Sequence, residues 1–432
     1  MTVLLIIFAV TYALIATDKI DKTIAALLGG GLAIGTGYIP YEDALRAVDL
    51  NVIFLLVGMM MVINIIGRTG GFEWMAIRLA QAARGNGLVI LVLFLVATAV
   101  ISAFLDNVTT VLLMAPVTFL IAQILEIPVV PFLILEAVFS NIGGTATLVG
   151  DPPNVLIGSA TGFSFNTFLW HLSPVVVVIG ALSLGVVVLV YGPQFRVNPA
   201  LKDRVRRARP ELAILDHRLL RWSMVVFALI LVGFFLGRPL GIEPGLVALC
   251  GGAAMALVGR VSIAHVLERV EWNTILFFVG LFMLVGALEH NGLFDLLGRQ
   301  MLSVTGGNLL LTCLLILVVS ALASAIVDNI PLVIALIPLL QSIAPDFAQS
   351  MNITDPALIQ STVMYPLFWS LALGACLGGN GTLVGASANV VIAQVAARNR
   401  HPISFAQFTR IGLPIMLLNI VLGAVYVWWR YF

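Results

Sequence analysis

The 432-residue chain is 61% hydrophobic and 10% charged, with 22 basic and 21 acidic side chains and a formal charge of +1. Soluble domains carry about 25% charged residues, so a water-soluble class is excluded and a polytopic membrane protein is indicated. The cysteines Cys250, Cys313 and Cys376 lie far apart in apolar segments, which excludes a disulfide framework and any metal-ligand spacing.

The predicted fold class is an all-α polytopic membrane protein with about ten transmembrane helices plus two re-entrant hairpins. Residues 1–17 read as a first span at about 2–17, not a cleaved signal, because no basic residue precedes the apolar stretch and no small-x-small site follows. Spans at about 23–38 and 51–67 come next. Residues 72–85, with Arg78 and Arg84, read as an amphipathic surface helix. The apolar stretch 88–124 carries Asp106-Asn107 near its middle and reads as a hairpin that returns to the side it left. Such a tip is tolerable only against protein or water. Segment 132–158 reads as a broken helix, since Gly143-Gly144 free the backbone and Pro152-Pro153 cannot hydrogen-bond behind it. A span at 173–191 closes the first half.

Residues 192–221 form a basic linker, read as an orientation signal and not as a nucleic-acid or anionic-lipid patch. Spans at about 222–237, 244–259 and 272–289 follow. Residues 293–305, with Asp295 and Arg299, read as a second surface helix. Segment 308–342 is a second hairpin with Asp328-Asn329 at its tip, 360–395 a second broken helix, and 411–429 the last span.

The halves repeat one another. Ser102 through Asn107, ending at Pro116, reappears as Ser324 through Asn329, ending at Pro338, an offset of 222 residues (106 to 328). The same offset pairs Gly29-Gly30 with Gly251-Gly252, Asn51 with Asn273, and Gly58 with Gly280. It drifts later, where Gly143-Gly144, Thr147 and Asn154 meet Gly378-Gly379, Thr382 and Asn389. Residues 1–191 and 222–432 are therefore expected to be two repeats. Charge supplies the orientation. With the linker cytoplasmic, only Arg46, Arg238, Arg299 and Arg430 of the 22 basic residues fall outside, while Lys19, Lys22, Arg204, Arg206 and the rest stay inside. Both termini are then outside and the repeats are inverted. Such folds place their site where the repeats meet at the bilayer midplane.

A carboxylate at mid-membrane costs about 2.5–3.5 kcal/mol, so Asp106 and Asp328, with no Lys or Arg near them in sequence, are candidate proton or cation acceptors. Helix capping is the alternative for both. Asp151 has Ala386 as its repeat mate, so capping and coupling stay equally open for it. The candidate substrate groups are Asn107, Thr109, Thr110, Asn141, Gly143, Gly144, Thr145, Thr147 and Asn154 in the first half. Those in the second half are Asn329, Gly378, Gly379, Asn380, Thr382 and Asn389. Close helix packing would explain the glycines but not the asparagines. No cationic side chain falls inside these motifs, which suits a small neutral polyhydroxyl species or a cation. No cofactor and no resident metal are expected.

Phe104 through Thr110, Ser140 through Asn154 with its Gly-Asp-Pro-Pro-Asn, and Asp328-Asn329 make the chain resemble the ion transporter superfamily. The likeness is to the branch of arsenite efflux pumps, NhaD-type sodium–proton antiporters and the melanosomal P protein. The resemblance implies a scaffold domain, a mobile transport domain and elevator-like alternating access. Dicarboxylate carriers of the superfamily have Ser-Asn-Thr at both tips; here Asp106-Asn107-Val108 and Asp328-Asn329-Ile330 stand instead. The favoured function is proton-driven efflux of arsenite or antimonite across a bacterial inner membrane. A sodium–proton antiporter is the alternative. A passive channel and an intramembrane aspartyl protease are the other classes weighed; Val149-Gly150-Asp151 only faintly echoes the protease motif. The expected partners are the bilayer, protons and the small inorganic substrate. A homodimer is admitted and, for an arsenite pump, a cytoplasmic ATPase subunit. No nucleic acid and no enzymatic activity are expected.

Overall fold

The structure, a computed structural model, describes residues 2–17, 20–198, 201–202, 205 and 207–432, and the Arg238 side chain is not described. Lys19, Asp203, Arg204 and Arg206 lie outside the described residues. Among the described residues all regular structure is helical. The first half contains α1 (Thr2–Thr17), α2 (Lys22–Gly35), α3 (Leu50–Gly67), α4 (Gly71–Ala82), α5 (Gly87–Ser102), α6 (Asn107–Leu125), α7 (Val129–Gly144), α8 (Pro152–Thr161) and α9 (Ser173–Tyr191). The second half contains α10 (His217–Leu240), α11 (Pro244–Gly259), α12 (Trp272–His290), α13 (Leu293–Thr305), α14 (Leu309–Ser324), α15 (Asn329–Ser350), α16 (Tyr365–Gly378), α17 (Ser387–Arg398) and α18 (Phe405–Tyr431). Short connecting helices lie between some of these.

Every expected segment has a helical counterpart, with three differences. First, eight helices are long and apolar enough to cross a membrane, or up to nine if the bent pair α13–α14 counts as one. The expectation was ten spans. Two of the eight, α6 and α15, are hairpin arms, so four of the ten expected spans fall short, and they do so in length: α1, α2, α7 and α11 are apolar but have only 14 to 16 residues. Second, the hairpin arms α6 and α15 reach 19 and 22 residues, so α15 runs past the expected limit of 342 to Ser350. Third, the second broken helix begins with a π-helical turn at Gln360–Met364. The surface helix α13 meets α14 at 114°, a bend set by Gly306 and Gly307, both at positive φ.

The duplication is visible in the helix starts. Asn86 accepts from Leu88 N at 3.1 Å at the head of α5, and Asn308 from Leu311 N at 3.0 Å at the head of α14. Ser164 and Ser404 cap in the same way, each accepting a backbone N–H at 3.2 Å. These caps satisfy amides that have no partner within their own helix. The duplication is visible in packing too. α3 lies along α11, and α2 along α12. Gly58 faces the Ala248 backbone in the first pair, and its repeat mate Gly280 faces that of Ala26 in the second. A Cβ at Gly58 would stand 2.6 Å from Ala248 O, and one at Gly280 2.7 Å from Ala26 O. Close helix approach requires glycine there.

A second helix group contains both hairpins and both broken helices. α5 packs on α7 and α14 on α16, within each repeat. The outer arms cross over, so that α6 packs on α17 and α15 on α8. The two repeats are thereby interlocked around the breaks, and this crossing brings both polar tips to one place.

Candidate functional site

Both tips end in a capping aspartate. Asp106 accepts from Thr109 N at 2.9 Å and from Thr109 Oγ1 at 2.5 Å. Thr110 Oγ1 turns back to Asp106 O at 2.8 Å. Asp328 accepts from Ile330 N at 3.2 Å. Thr109 and Thr110 thus hold the first tip and present no free group.

Asp151 behaves differently. It stands at the head of α8 and makes no side-chain cap there. It is 1% exposed, and its Oδ1 accepts from Asn107 Nδ2 at 3.3 Å and from Asn329 Nδ2 at 3.5 Å. The capping alternative is overturned, because Pro152 and Pro153 remove two of the amides a cap would serve. One carboxylate instead ties the two repeat tips together. Among the described residues its Oδ2, like Asn107 Oδ1, is buried without a conventional hydrogen-bond partner, although the Cys376 thiol lies beside the carboxylate.

Behind this junction lies a web of amides. Asn141 Oδ1 accepts from Asn107 Nδ2 at 2.9 Å, while Asn141 Nδ2 donates to Asn380 Oδ1 at 2.9 Å and Asn389 Oδ1 at 3.1 Å. Asn154 donates to the carbonyls of Gly144, Thr145 and Thr147; Asn389 donates to those of Gly379 and Thr382. The threonines are engaged in the same way. Thr145 bonds Asn141 O, Thr147 bonds Ala103 O, and Thr382 bonds Ala325 O. The glycine pairs are crossing points, with Gly143 against Ala99 and Gly378 against Ala321, and with Gly144 and Gly379 against Gly150 and Gly385. These residues hold the two helix breaks open and do not reach the cavity.

That cavity has a volume of about 640 Å³ and lies between the two helix groups. Of the sequence candidates, Asp106, Asn107, Asp151, Asp328 and Asn329 line it. Sequence reasoning missed Asp21, Lys22, Glu271, Asn273 and Ser387, which line it as well. Asn273 is the repeat mate of Asn51, which was the only signal available for it. Burial and the nearby Asp106 push the Glu271 carboxyl above its usual range, whereas the Thr23 amide holds that of Asp21 below it. Away from the cavity, Glu136 is fully buried in α7 and accepts from Thr118 Oγ1 at 2.6 Å. A lone acid in an apolar run was the overlooked signal there.

No cationic side chain falls inside the motifs, but packing brings one to them from elsewhere in the chain. Lys22 Nζ stands 3.1 Å from Asp328 Oδ2 and 3.3 Å from Ser387 Oγ, and Ser387 Oγ donates to Asp328 Oδ2 at 2.7 Å. The partners are over 300 residues apart, which hides the pair from a sequence window.

A second cavity of about 170 Å³ is lined by Asn51, Ser159 and Glu243. Their repeat mates, Asn273, Gln394 and Asp21, line the large cavity. Leu55 and Val155 line both. Asn51 Nδ2 bonds Ser159 Oγ at 3.1 Å across the smaller one. The two cavities are repeat-related, one wide and one narrow.

Apolar helices, helix breaks facing one another, and a polar cavity between them define an integral membrane transporter. The citrate transporter family, CitMHS, matches residues 12–364, and the chain belongs to this family of the ion transporter superfamily. A 46 kDa membrane protein of Mycobacterium leprae is 41% identical over 98% of this chain and 97% of its own length. An uncharacterized transporter of Synechocystis sp. is 32% identical over 99% of the chain and 96% of its own length. The P protein of Sus scrofa is 30% identical over 99% of the chain and 59% of its own length. In fold, the chain is similar to the YdaH transporter of Alcanivorax borkumensis. The TM-score is 0.58 at 15% identity, covering 87% of this chain and 84% of that one.

Proposed function

We propose that the protein is a proton-coupled secondary transporter that exchanges a small monovalent cation, such as Na⁺ or Li⁺, for protons. The observation that carries this reading is the charge of the cavity. Asp21, Asp106, Asp151, Glu271 and Asp328 face it, against Lys22 as the cation. Such a field attracts cations and opposes a citrate trianion. Among the described residues no three His, Cys, Asp or Glu side chains converge as a metal site would need. Protons or a monovalent ion, held by one carboxylate at a time, suit that spacing better than a divalent ion.

Alternating access supplies the movement. The paired wide and narrow cavities support it, because exchanging the conformations of the two repeats would open the narrow cavity and close the wide one. The hairpins and broken helices would be the moving group, in elevator fashion, with the helices around α2, α3, α11 and α12 as scaffold. The linker 192–221 is assigned to the cytoplasm and both termini to the outside.

Arsenite or antimonite efflux is the second reading. It is favoured by the unpartnered acceptors Asn107 Oδ1 and Asp151 Oδ2, to which a neutral trihydroxide could donate. It is disfavoured by the Asn and Thr web, whose groups are bonded to one another. Purified protein in proteoliposomes with an imposed pH gradient separates the readings. Addition of Na⁺ or Li⁺ should discharge the gradient, and arsenite or citrate should not. Arsenite uptake without a Na⁺ response would replace the first reading with the second.

A further inference from the structure

The two repeat tips are alike in sequence but not in their counter-charges. Asp106 is held by the amide and hydroxyl of Thr109. Asp328 is held by Lys22 and Ser387, whose repeat mates are Pro244 and Pro152 and can offer neither an ammonium nor a hydroxyl. Lys22 rises from the first turn of α2, behind the Asp21 cap. α2 packs on α12 in one helix group, while Asp328 and Ser387 belong to the hairpin and broken helix of the other. Lys22 Nζ also lies 5.2 Å from the centre of the Phe277 ring on α12. The pair faces the cavity, with the Lys22 side chain 34% and the Asp328 side chain 13% exposed. Asp21, Asp106, Asp151 and Glu271 face the same space.

The geometry points to Lys22 as a tethered competitor cation. It occupies Asp328 when no transported cation is present and is displaced when one binds, so it sets both the apparent affinity and the coupling of the exchange. This rests on the cation–proton reading of the cavity. An ionised Asp328 stripped of its counter-ion is disfavoured in the membrane even with Ser387 and Ile330 still bonded to it. The moving group therefore leaves the scaffold with a transported cation or a proton on Asp328, since Lys22 stays behind on α2. The pair thus opposes movement of an empty, charged tip.

Two measurements test this. The first is the apparent Na⁺ constant for exchange in proteoliposomes. Lys22→Gln should lower it roughly two- to five-fold, the equivalent of a partly exposed ion pair, while Lys22→Arg should stay near wild type. A merely structural lysine would instead lower the rate or the folded yield and leave the constant unchanged or higher, which overturns the inference. The second does not depend on transport. With Lys19→Arg and Lys202→Arg, Lys22 is the remaining lysine. Its labelling by an amine reagent should quicken with Na⁺ and not with choline, as displacement from Asp328 frees the ammonium. A labelling rate indifferent to Na⁺ overturns the inference even where exchange is intact. Wild-type protein that exchanges no cation for protons overturns the cation reading and this inference together.

Discussion

Asn141→Ala removes the side chain that joins the halves. It takes away the acceptor for Asn107 and the donor to Asn380 and Asn389, three hydrogen bonds of 2.9 to 3.1 Å at a fully buried position. At about 0.5–1.5 kcal/mol each, the loss is roughly 1.5–4.5 kcal/mol. The upper part of that range is expected, because Asn380 Nδ2 already lacks a partner among the described residues and its Oδ1 would lose one too. Asn389 suffers less, since its Nδ2 keeps the carbonyls of Gly379 and Thr382. The assay is reversible unfolding in mixed micelles, followed by tryptophan fluorescence. Asn166→Ala is the control. It loses one bond, to Phe235 O, at a more exposed site, and should cost about 1 kcal/mol or less. If Asn141→Ala unfolds within about 0.5 kcal/mol of wild type, the amide web does not hold the repeats together.

Other consequences can be checked separately. Gly58→Ala and Gly280→Ala each place a Cβ against the backbone of the facing helix, so both should destabilise by about 1–3 kcal/mol, and by similar amounts because the sites are repeat mates; unequal effects by calorimetry would argue against equivalent packing. Cysteine at Asn399 should be labelled from the cytoplasmic face, and cysteine at Glu42 or Asp346 from the outer face, with impermeant maleimide; labelling of Asn399 and Asp346 from one face would end the inverted orientation. A crosslink between cysteines at Asn51 and Ser159 should hold the narrow cavity shut and stop flux, with reduction restoring it; undiminished flux in the oxidised protein would remove the second pathway. Burial, helped by Arg430, lowers the His171 pKa from 6.5 to about 4. The unfolded chain therefore binds the proton first, and stability contributed by the neutral ring is lost as pH falls from about 6.5 toward about 4; His171→Gln should lessen that acid sensitivity in unfolding scans.

The sequence showed the scaffold well because duplication leaves a register. Asp106-Asn107 and Asp328-Asn329 marked both tips, and the paired glycines marked the helix crossings. Local patterns also located nearly every helix, since apolar runs bounded by Asn, Asp, Ser or Gly end where caps can form. What stayed hidden was pairing across the fold. Lys22 looked like a charge between two spans, and only the packing of α2 beside the second hairpin brings it to Asp328. Asp151 lacks an acidic repeat mate, so the duplication was silent about it, yet both tips bond to it. Asn141, Asn154, Asn380 and Asn389 were expected to line the cavity and bind substrate, but they are fully buried and bonded to one another and to the backbone. Their role in holding the breaks, one layer behind the cavity, depends on side-chain directions that spacing does not encode.

The most direct test is a vesicle containing a pH-sensitive dye, energised with an acid interior and challenged with Na⁺. Wild-type protein should alkalinise the lumen as Na⁺ enters. Asp151→Asn, which keeps the Oδ1 acceptor between Asn107 and Asn329 but cannot take or release a proton, should fold yet lose most of that response. Full Na⁺-driven alkalinisation by the folded Asp106→Asn, Asp151→Asn and Asp328→Asn proteins alike would contradict proton coupling at this cavity.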